Sequence, residues 1–61
     1  MTLDEARAAI GRRVRYAPLG LDPEGRGTIT SVNATYVFVR FGLGEHGESI
    51  AHRAADLVLL P

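Results

Sequence analysis

The stretch that decides the fold is residues 27–41, which read GTITSVNATYVFVRF. Its second half, 36–41, is filled with aromatic and β-branched residues, the types that fit a pleated, half-buried strand. Successive side chains of a strand point to opposite faces. One face of this strand carries Val37, Val39 and Phe41, and the other carries Tyr36, Phe38 and Arg40.

The first half of the same stretch predicts a partner strand over 27–32. Ile29 and Val32 lie three residues apart, so both can point inward only if the strand contains a bulge or a strong bend. Residues 33–35 predict a tight turn, because Asn33 tolerates a left-handed backbone conformation. The whole stretch therefore reads as strand, turn and strand.

Further short elements flank this hairpin on both sides. Arg13–Tyr16 alternates arginine with Val14 and Tyr16, which indicates a strand with one apolar face. Pro18 ends that strand, because proline cannot donate to a ladder. The remaining expected elements are a loop over 19–25, a loop over 42–48, a strand at Ser49–His52, a single helical turn over 53–56 and a strand over 57–60.

The N-terminal segment 2–10 predicts a short helix. Thr2 can cap it, and Glu5, three residues later, can reach back to complete a capping box. Gly11 is suited to the C-terminal cap. The expected apolar stripe is Leu3, Ala6 and Ile10, which is spaced for one helical face. So short a helix is marginal in water and needs packing against the strands.

Together these elements predict one mainly β domain over 1–61, with a helix over about 2–10 and a small five-stranded barrel over about 12–60. The hairpin 27–41, with 11–16 before it and 55–60 after it, resembles the Src-homology-3-like small barrels, in the broad sense that includes Tudor and KOW modules. The chain is also similar to short uncharacterised proteins of bacteriophage and prophage genomes. The resemblance covers about residues 10–60 and implies a fold that binds peptides, nucleic acids and small ligands alike.

Length and composition narrow the function classes. Sixty-one residues leave no room for a dinucleotide-binding fold or a (β/α)₈ barrel, which takes about 250 residues. Seven arginines and no lysine balance seven acidic residues, and this zero net charge argues against a binder driven by bulk charge. A hydrophobic content of 46% argues against disorder. The absence of cysteine excludes disulfides and thiolate metal sites.

The chain carries no pattern typical of export or membrane insertion. It opens with acidic residues, Asp4 and Glu5, where a secretory signal is basic. Its longest apolar run, 57–60, is far short of the roughly 20 residues that span a bilayer. We therefore expect no membrane partner and a cytoplasmic location in a bacterial host cell.

Three constellations that could carry chemistry are weak. Residues 42–47 match the letters G-x-G-x-x-G, but no helix pattern follows them, so a hairpin loop is expected instead of a dinucleotide site. His46 and His52 with nearby carboxylates lack the spacing of a closed zinc site. A serine, histidine and aspartate could be drawn as a triad, yet so small a barrel leaves little room for an oxyanion hole. We expect no enzyme activity, no cofactor and no metal.

The arginines give the more informative pattern. If Val14 and Val37 face the core, then Arg13, Arg15 and Arg40 point outward together with Tyr36. Guanidinium and aromatic groups side by side are what stacking and phosphate binding use. Arginine stems that merely cover apolar surface are the plain alternative. The candidate ligand-binding residues are Arg13, Arg15, Arg40 and Tyr36.

Apolar residues on the outward face predict self-association. Phe38 points outward beside Tyr36 and needs a cover, which is either the N-terminal helix or another subunit. The last strand is apolar on both faces, a pattern typical of burial on both sides. We therefore expect a homo-oligomer, a dimer or a higher assembly, with Phe38, Val58 and Leu60 in its interface.

Three functions follow as hypotheses. The first is a non-enzymatic, self-associating interaction module for a peptide or protein partner, which the zero net charge favours. The second is nucleic-acid binding through the arginine cluster, against which the charge balance argues. The third rests on the phage resemblance, which implies a counter-defence protein that sequesters a signalling nucleotide, a small anionic ligand, between subunits.

Overall fold

Five antiparallel strands in the order β4-β3-β2-β1-β5 form the frame of the protein. The computed structural model describes residues 1–41 and 47–61. The prediction of a mainly β chain is confirmed. In chain order the elements are the helix α1 (Leu3–Arg7), β1 (Arg13–Tyr16), 3₁₀ turns at Ala17–Leu19 and Pro23–Gly25, β2 (Arg26–Val32), β3 (Val37–Phe41), β4 (Ser49–His52), a 3₁₀ turn at Ala54–Asp56 and β5 (Leu57–Leu59).

The hydrophobic core lies on one face of this sheet, here called the inner face. Alternating aliphatic side chains of four strands meet there, and each is at most 1% exposed: Val14, Ile29, Val37, Val39 and Leu57. Ala6 and Ala9, from α1 and the turn after it, close the core with Ala54. The predicted inner positions of β1 and β3 are therefore confirmed.

The predicted bulge lies in β2. Ile29 pairs with Val39, but the register then shifts, so that Val32 pairs with Val37. Residues opposite each other across a ladder point to the same face. The extra residue in β2 thus lets Ile29 and Val32, three apart, both face the core.

The sheet curls strongly although its ladder is open. In the strand order, β2 and β3 separate β1 from β4, and three strand spacings in a flat sheet amount to about 14 Å. The rings of Tyr16 on β1 and His52 on β4 nevertheless lie 4.9 Å apart between centroids. The two sides of the sheet therefore approach each other across the core, and the fold is barrel-like with β4 and β5 as its edges.

The N-terminal helix is shorter than its sequence pattern predicts. The capping box is present, with the Glu5 amide donating to Thr2 Oγ1 at 3.1 Å and the Thr2 amide donating to Glu5 Oε1 at 2.9 Å. The chain leaves the helix after Arg7, however, so helical spacing no longer applies beyond it. Ile10, which was predicted to face the core, is consequently 52% exposed. Ala9, 2% exposed, takes that core position instead.

Gly11 and Asn33 make their turns in ways that the sequence did not specify. Gly11 has a φ of 91° but lies beyond the helix cap, where its amide donates to Ile29 at 2.8 Å and leads the chain into β1. No described residue other than glycine has a positive φ, so the left-handed conformation expected for Asn33 is wrong. Its side-chain Oδ1 instead accepts from the amides of Thr35 at 2.8 Å and Tyr36 at 2.6 Å.

The other predicted boundaries agree with the structure to within about one residue. The strands over 13–16 and 49–52 are confirmed, β2 begins one residue earlier than expected, β3 begins one residue later, and β5 ends one residue earlier. Residues 42–46 lie outside the described residues. The structure therefore describes Gly47 and Glu48 of the loop expected over 42–48, and Gly47 of the G-x-G-x-x-G letters over 42–47. No helix in the described ranges is long and apolar enough to cross a membrane.

Candidate functional site

The face of the sheet opposite the core, here called the outer face, carries arginines in two neighbouring rows. In the first row, Arg13 on β1 lies opposite Thr28 on β2, which lies opposite Arg40 on β3. Strands are about 4.8 Å apart, so about 10 Å separates the backbones of the two arginines. Arg13 Nη1 donates to Thr28 Oγ1 at 3.2 Å, which ties the first arginine to the middle of the row.

The second row places two arginines directly opposite each other. Arg15 on β1 pairs with Arg26 on β2, and both side chains lie on the outer face. Arg15 is half-buried and Arg26 is exposed. Like charges directly opposite across a ladder destabilise a sheet. The pair is therefore an unfavourable arrangement for the free protein.

Carboxylates of the described residues do not neutralise this surface. Arg7 and Asp4 on α1 form an ion pair at 2.7 Å. No carboxylate of the described residues lies within ion-pair distance of Arg15, Arg26 or Arg40. Arg15 Nη1 donates to the Gly20 carbonyl at 3.4 Å, and Arg40 Nε donates to the Gly47 carbonyl at 3.1 Å. Carbonyl acceptors orient a guanidinium group without cancelling its charge.

Although the net charge is zero, the described acidic residues and the arginines of the strands occupy different parts of the fold. No carboxylate of the described residues belongs to a strand. Asp4 and Glu5 lie on α1, which packs over the inner face, and the others lie between or beside the strands: Asp22 and Glu24 between β1 and β2, Glu48 directly before β4, and Asp56 in the turn before β5. A local field depends on where charges sit and not only on their sum. Among the described residues, the outer-face positions of β1, β2 and β3 thus carry arginines and no carboxylate.

Hydroxyl and aromatic groups share the outer face with the arginines. Thr30 Oγ1 lies 2.7 Å from Ser49 Oγ and also donates to the Phe38 carbonyl at 3.2 Å. Phe38 is half-buried, and Tyr36, just before β3, is 43% exposed. Tyr36 lies four residues from Arg40, about 13 Å along the strand. The structure thus brings the three predicted arginines together and leaves Tyr36 at the far end of their surface.

Arg26 is a member of this surface that the sequence interpretation missed. The expected strand began at Gly27, which left Arg26 in a loop. The signal was present nonetheless, because Arg26, Thr28 and Thr30 alternate with the buried Gly27 and Ile29. Extending the alternation by one residue would have placed Arg26 outward. Only the register with β1 shows that it faces Arg15.

The three residues expected in an oligomer interface lie apart on the outer face. Val58 pairs with Arg15 and is 40% exposed, and the Leu60 amide donates to the Arg13 carbonyl at 3.0 Å, so both flank β1. Phe38 lies on β3, with β1 and β2 between. The helix packs over the inner face, so it is not the cover expected for Phe38. Arginine and threonine side chains separate the apolar positions.

His52 is a half-buried polar residue of the inner face. Its ring lies 4.9 Å from that of Tyr16 and makes an edge contact at 5.2 Å with that of Phe41. Nε2 is buried and has no hydrogen-bond partner in the described structure. Burial lowers the pKa of His52, and the nearby charge of Asp56 opposes this shift in part. The lowered pKa favours the neutral form of this half-buried imidazole at neutral pH.

The part of the chain that the structure describes offers few features that point to a metal ion or an enclosed small molecule. No three histidine, aspartate or glutamate side chains gather there in a way that could hold a metal ion, and no pocket is enclosed. His46, which with His52 was a candidate metal ligand, lies outside the described residues. Within 1–41 and 47–61, the feature that points to a ligand is thus the arginine surface of the outer face, Arg13, Arg15, Arg26 and Arg40.

Guanidinium groups in this arrangement can bind oxyanions. Each presents a planar fork of donors that matches the geometry of a phosphate or a carboxylate. Comparison of the chain with protein-family models, curated proteins and solved structures finds no match.

Proposed function

We propose that this protein is a non-enzymatic binding module that holds the phosphate backbone of a single-stranded nucleic acid against the outer face of its sheet. The observation that carries the proposal is the opposed pair of Arg15 and Arg26, which has no carboxylate partner among the described residues. An oxyanion between two guanidinium groups converts their repulsion into two charge-assisted attractions.

The rest of the arginine surface supports an extended anion over a single ion. Arg13 and Arg40 form a second row beside the opposed pair, two residues further along β1. Residues two apart on one face of a strand are about 7 Å apart. An anion that reaches both rows must carry charge at intervals along its length, as a phosphate backbone does.

Aromatic rings on the same face favour a nucleic acid over an acidic peptide. Tyr36 is exposed and Phe38 is half-buried, and both precede Arg40 on the outer side of the hairpin. Every base has a π face, so stacking on such rings adds affinity with little sequence preference. A single strand suits this surface, because its unpaired bases are free to stack on these rings while its phosphates reach the arginines.

The experiment is a titration of a labelled, mixed-sequence single-stranded oligonucleotide by fluorescence anisotropy over a series of salt concentrations. We expect the double variant Arg15→Gln/Arg26→Gln to bind at least about tenfold more weakly. Loss of two phosphate contacts should also reduce the magnitude of the salt slope by about 1.4. The matched control, Arg7→Gln/Arg12→Gln, removes the same charge from α1 and the turn before β1, and we expect it to bind like the unaltered protein.

Three further ligands separate the proposal from its alternatives. Inorganic polyphosphate should bind more weakly than the oligonucleotide, because it offers phosphates without bases. Polyglutamate binding as tight as the oligonucleotide would favour an acidic protein partner, and a cyclic nucleotide that binds while the oligonucleotide does not would favour nucleotide sequestration. Equal losses in the two double variants, or no oligonucleotide binding at low salt, would contradict the proposal.

The resemblance to Src-homology-3-like barrels is part of this proposal. The strand order and the 3₁₀ turn before β5 support it, because the sequence pattern predicted a barrel with a single helical turn before its last strand. A phage or prophage origin and a cytoplasmic location in the bacterial host remain predictions. Neither is needed for the outer face to bind an anionic strand.

A further inference from the structure

The two edges of the sheet differ in how they are protected. A sheet edge presents unpaired backbone groups, and natural proteins cover it or place charges and prolines on it. At the β5 edge, the Met1 nitrogen donates to the carbonyls of Leu57 at 3.2 Å and Ala54 at 3.3 Å. β4 pairs with β3 on one side and with no described strand on the other.

β4 is short, but among the described residues it lacks the charges and prolines that usually protect a sheet edge. Its four residues, Ser49–His52, include no acidic or basic residue other than the histidine, no proline and no glycine. Ser49, Ile50 and Ala51 are exposed, and Ile50 is 54% exposed although it pairs with the buried Val39. An exposed apolar residue in the middle of an uncharged edge is a template for strand pairing.

We propose that β4 is a self-association edge, at which two copies of this chain pair β4 with β4 in antiparallel orientation about a two-fold axis centred on Ile50. This inference does not depend on the proposed function. It commits to a second copy because β4 is complementary to itself in this register.

The complementarity follows from which residues meet. A two-fold axis perpendicular to the sheet brings Ile50 against Ile50 of the second copy and Ser49 against Ala51. Extending the ladder by one residue brings Glu48 against His52, whose ring packs inward against Tyr16 and Phe41, so no like charges are opposed. Each copy covers the exposed isoleucine of the other, and apolar cross-strand pairs of this kind stabilise antiparallel ladders.

The two neighbouring symmetric registers, centred on Ser49 and on Ala51, are less favourable, and the first would bring the apolar Ile50 against Glu48. Residues that face each other must lie on the same face, so the axis can move only to another residue of the strand. An axis at Ala51 would bring Arg53 of one copy against Ser49 of the other, which already lies beside Arg40. Two guanidinium groups would then flank one serine, so the register centred on Ile50 is preferred.

Pairing at β4 would extend the sheet without turning either copy over. A two-fold axis perpendicular to the sheet keeps both outer faces on the same side. The arginine surfaces of the two copies would then both lie on the outer side of the joined sheets. The predicted homo-oligomer would thereby have a geometry in which self-association and ligand binding use different surfaces.

The association is expected to be weak and concentration-dependent. The exposed surface of one copy is 4016 Å², and a standard stable interface takes about 800 Å² from each partner, about one fifth of that surface. A four-residue strand buries less than this. We therefore expect a monomer at micromolar and a dimer at millimolar concentrations.

The test measures mass by sedimentation equilibrium over that range of concentrations for the full chain and three variants. Ile50→Lys should abolish the dimer, because two ammonium groups would then meet at the axis. Ile10→Lys is the matched control, since Ile10 is 52% exposed and lies in the turn before β1. Ile50→Glu should also be monomeric alone, whereas an equimolar mixture of Ile50→Lys and Ile50→Glu should dimerise again.

The mixture makes the experiment specific for the register. Recovery of the dimer only in the mixture supports pairing of residue 50 with itself. The proposal is overturned by a mass that stays monomeric at millimolar concentration, by a dimer that survives Ile50→Lys, or by equal loss in Ile10→Lys. A larger head-to-tail assembly, in which β4 meets β5 of the next copy, would overturn it as well.

Discussion

The inner and outer faces of the sheet are made by the same strands but are determined by different properties of the sequence. The inner face carries side chains that are at most 1% exposed, among them Val14, Ile29, Val37 and Val39. On the outer face, arginines, threonines and Phe38 stand at the intervening positions. The inner face follows from alternation within each strand, whereas the outer face depends on which strands are neighbours and in what register.

This difference shows what each face contributes. The inner face supplies most of the free energy of folding, because burying apolar surface is the main favourable term for a small domain. The outer face can therefore carry groups that do not favour folding, such as the opposed Arg15 and Arg26. A functional surface on so short a chain is expected among the residues that the core does not need.

The largest expected effect comes from removing part of the inner face. Ile29→Ala should lower the free energy of unfolding by about 2–5 kcal/mol, because it leaves a cavity at a site that is 1% exposed. Ile10→Ala and Ile50→Ala make the same change at sites that are more than half exposed and should cost less than about 1 kcal/mol. Urea denaturation of the three variants checks the ranking, and equal losses at the three sites would contradict this account of the core.

How far the sequence predicts this fold can be judged at particular residues. Alternation within 13–16 and 36–41 identified the inner positions, and the spacing of Ile29 and Val32 predicted the bulge. The sequence pattern extends the helix to Ile10, because Ala8 and Ala9 are strong helix formers. In the structure the helix ends after Arg7, and the Ala9 amide donates to the Ala6 carbonyl, three residues back, at 3.0 Å. The position of the turn at Asn33 is predicted correctly, but its mechanism is not. Asparagine is favoured both by a left-handed backbone and by turns in which its side chain accepts backbone hydrogen bonds, and the structure has the second.

The candidate site was less predictable than the fold. Arg13, Arg15 and Arg40 were recognised as outward from alternation alone, but no pattern within one strand shows that Arg15 faces Arg26. That contact is a property of the register between β1 and β2. The burial of His52 between the rings of Tyr16 and Phe41 also depends on how the sheet curls, which a local pattern does not encode.

The second prediction tests whether His52 on the inner face limits stability in acid. Because burial lowers the pKa of His52 in the folded protein, the unfolded chain binds its proton more readily. The free energy of unfolding should therefore fall as the pH drops below about 6.5 toward the lowered pKa. Glu5, whose pKa is lowered by hydrogen bonds from the Thr2 amide and hydroxyl, affects stability only in a more acidic range, below 4.5.

Two variants sharpen this prediction. His52→Phe should remove the loss between neutral and mildly acidic pH, and it also removes a buried nitrogen that lacks a partner, a group that costs about 1–3 kcal/mol when fully buried. Asp56→Asn should increase the loss, because Asp56 opposes the shift in the pKa of His52. Thermal unfolding followed by circular dichroism over a pH series measures both. A pH dependence that His52→Phe leaves unchanged would show that another group is responsible.

The smallest expected effect concerns the outer face, where stability and binding should move in opposite directions. Arg26→Thr relieves the repulsion from Arg15 and introduces a residue that strands favour, so the free energy of unfolding should rise by about 0.2–1 kcal/mol. The gain should shrink as added salt screens the repulsion. Arg12→Thr, at an exposed arginine outside the strands, should give no gain. If the oligonucleotide also binds Arg26→Thr more weakly, the arginine is a residue that weakens the folded protein and strengthens its complex. A side chain that merely covers apolar surface would lower stability when removed, so the sign of this small change distinguishes a solvated arginine from one that binds the ligand.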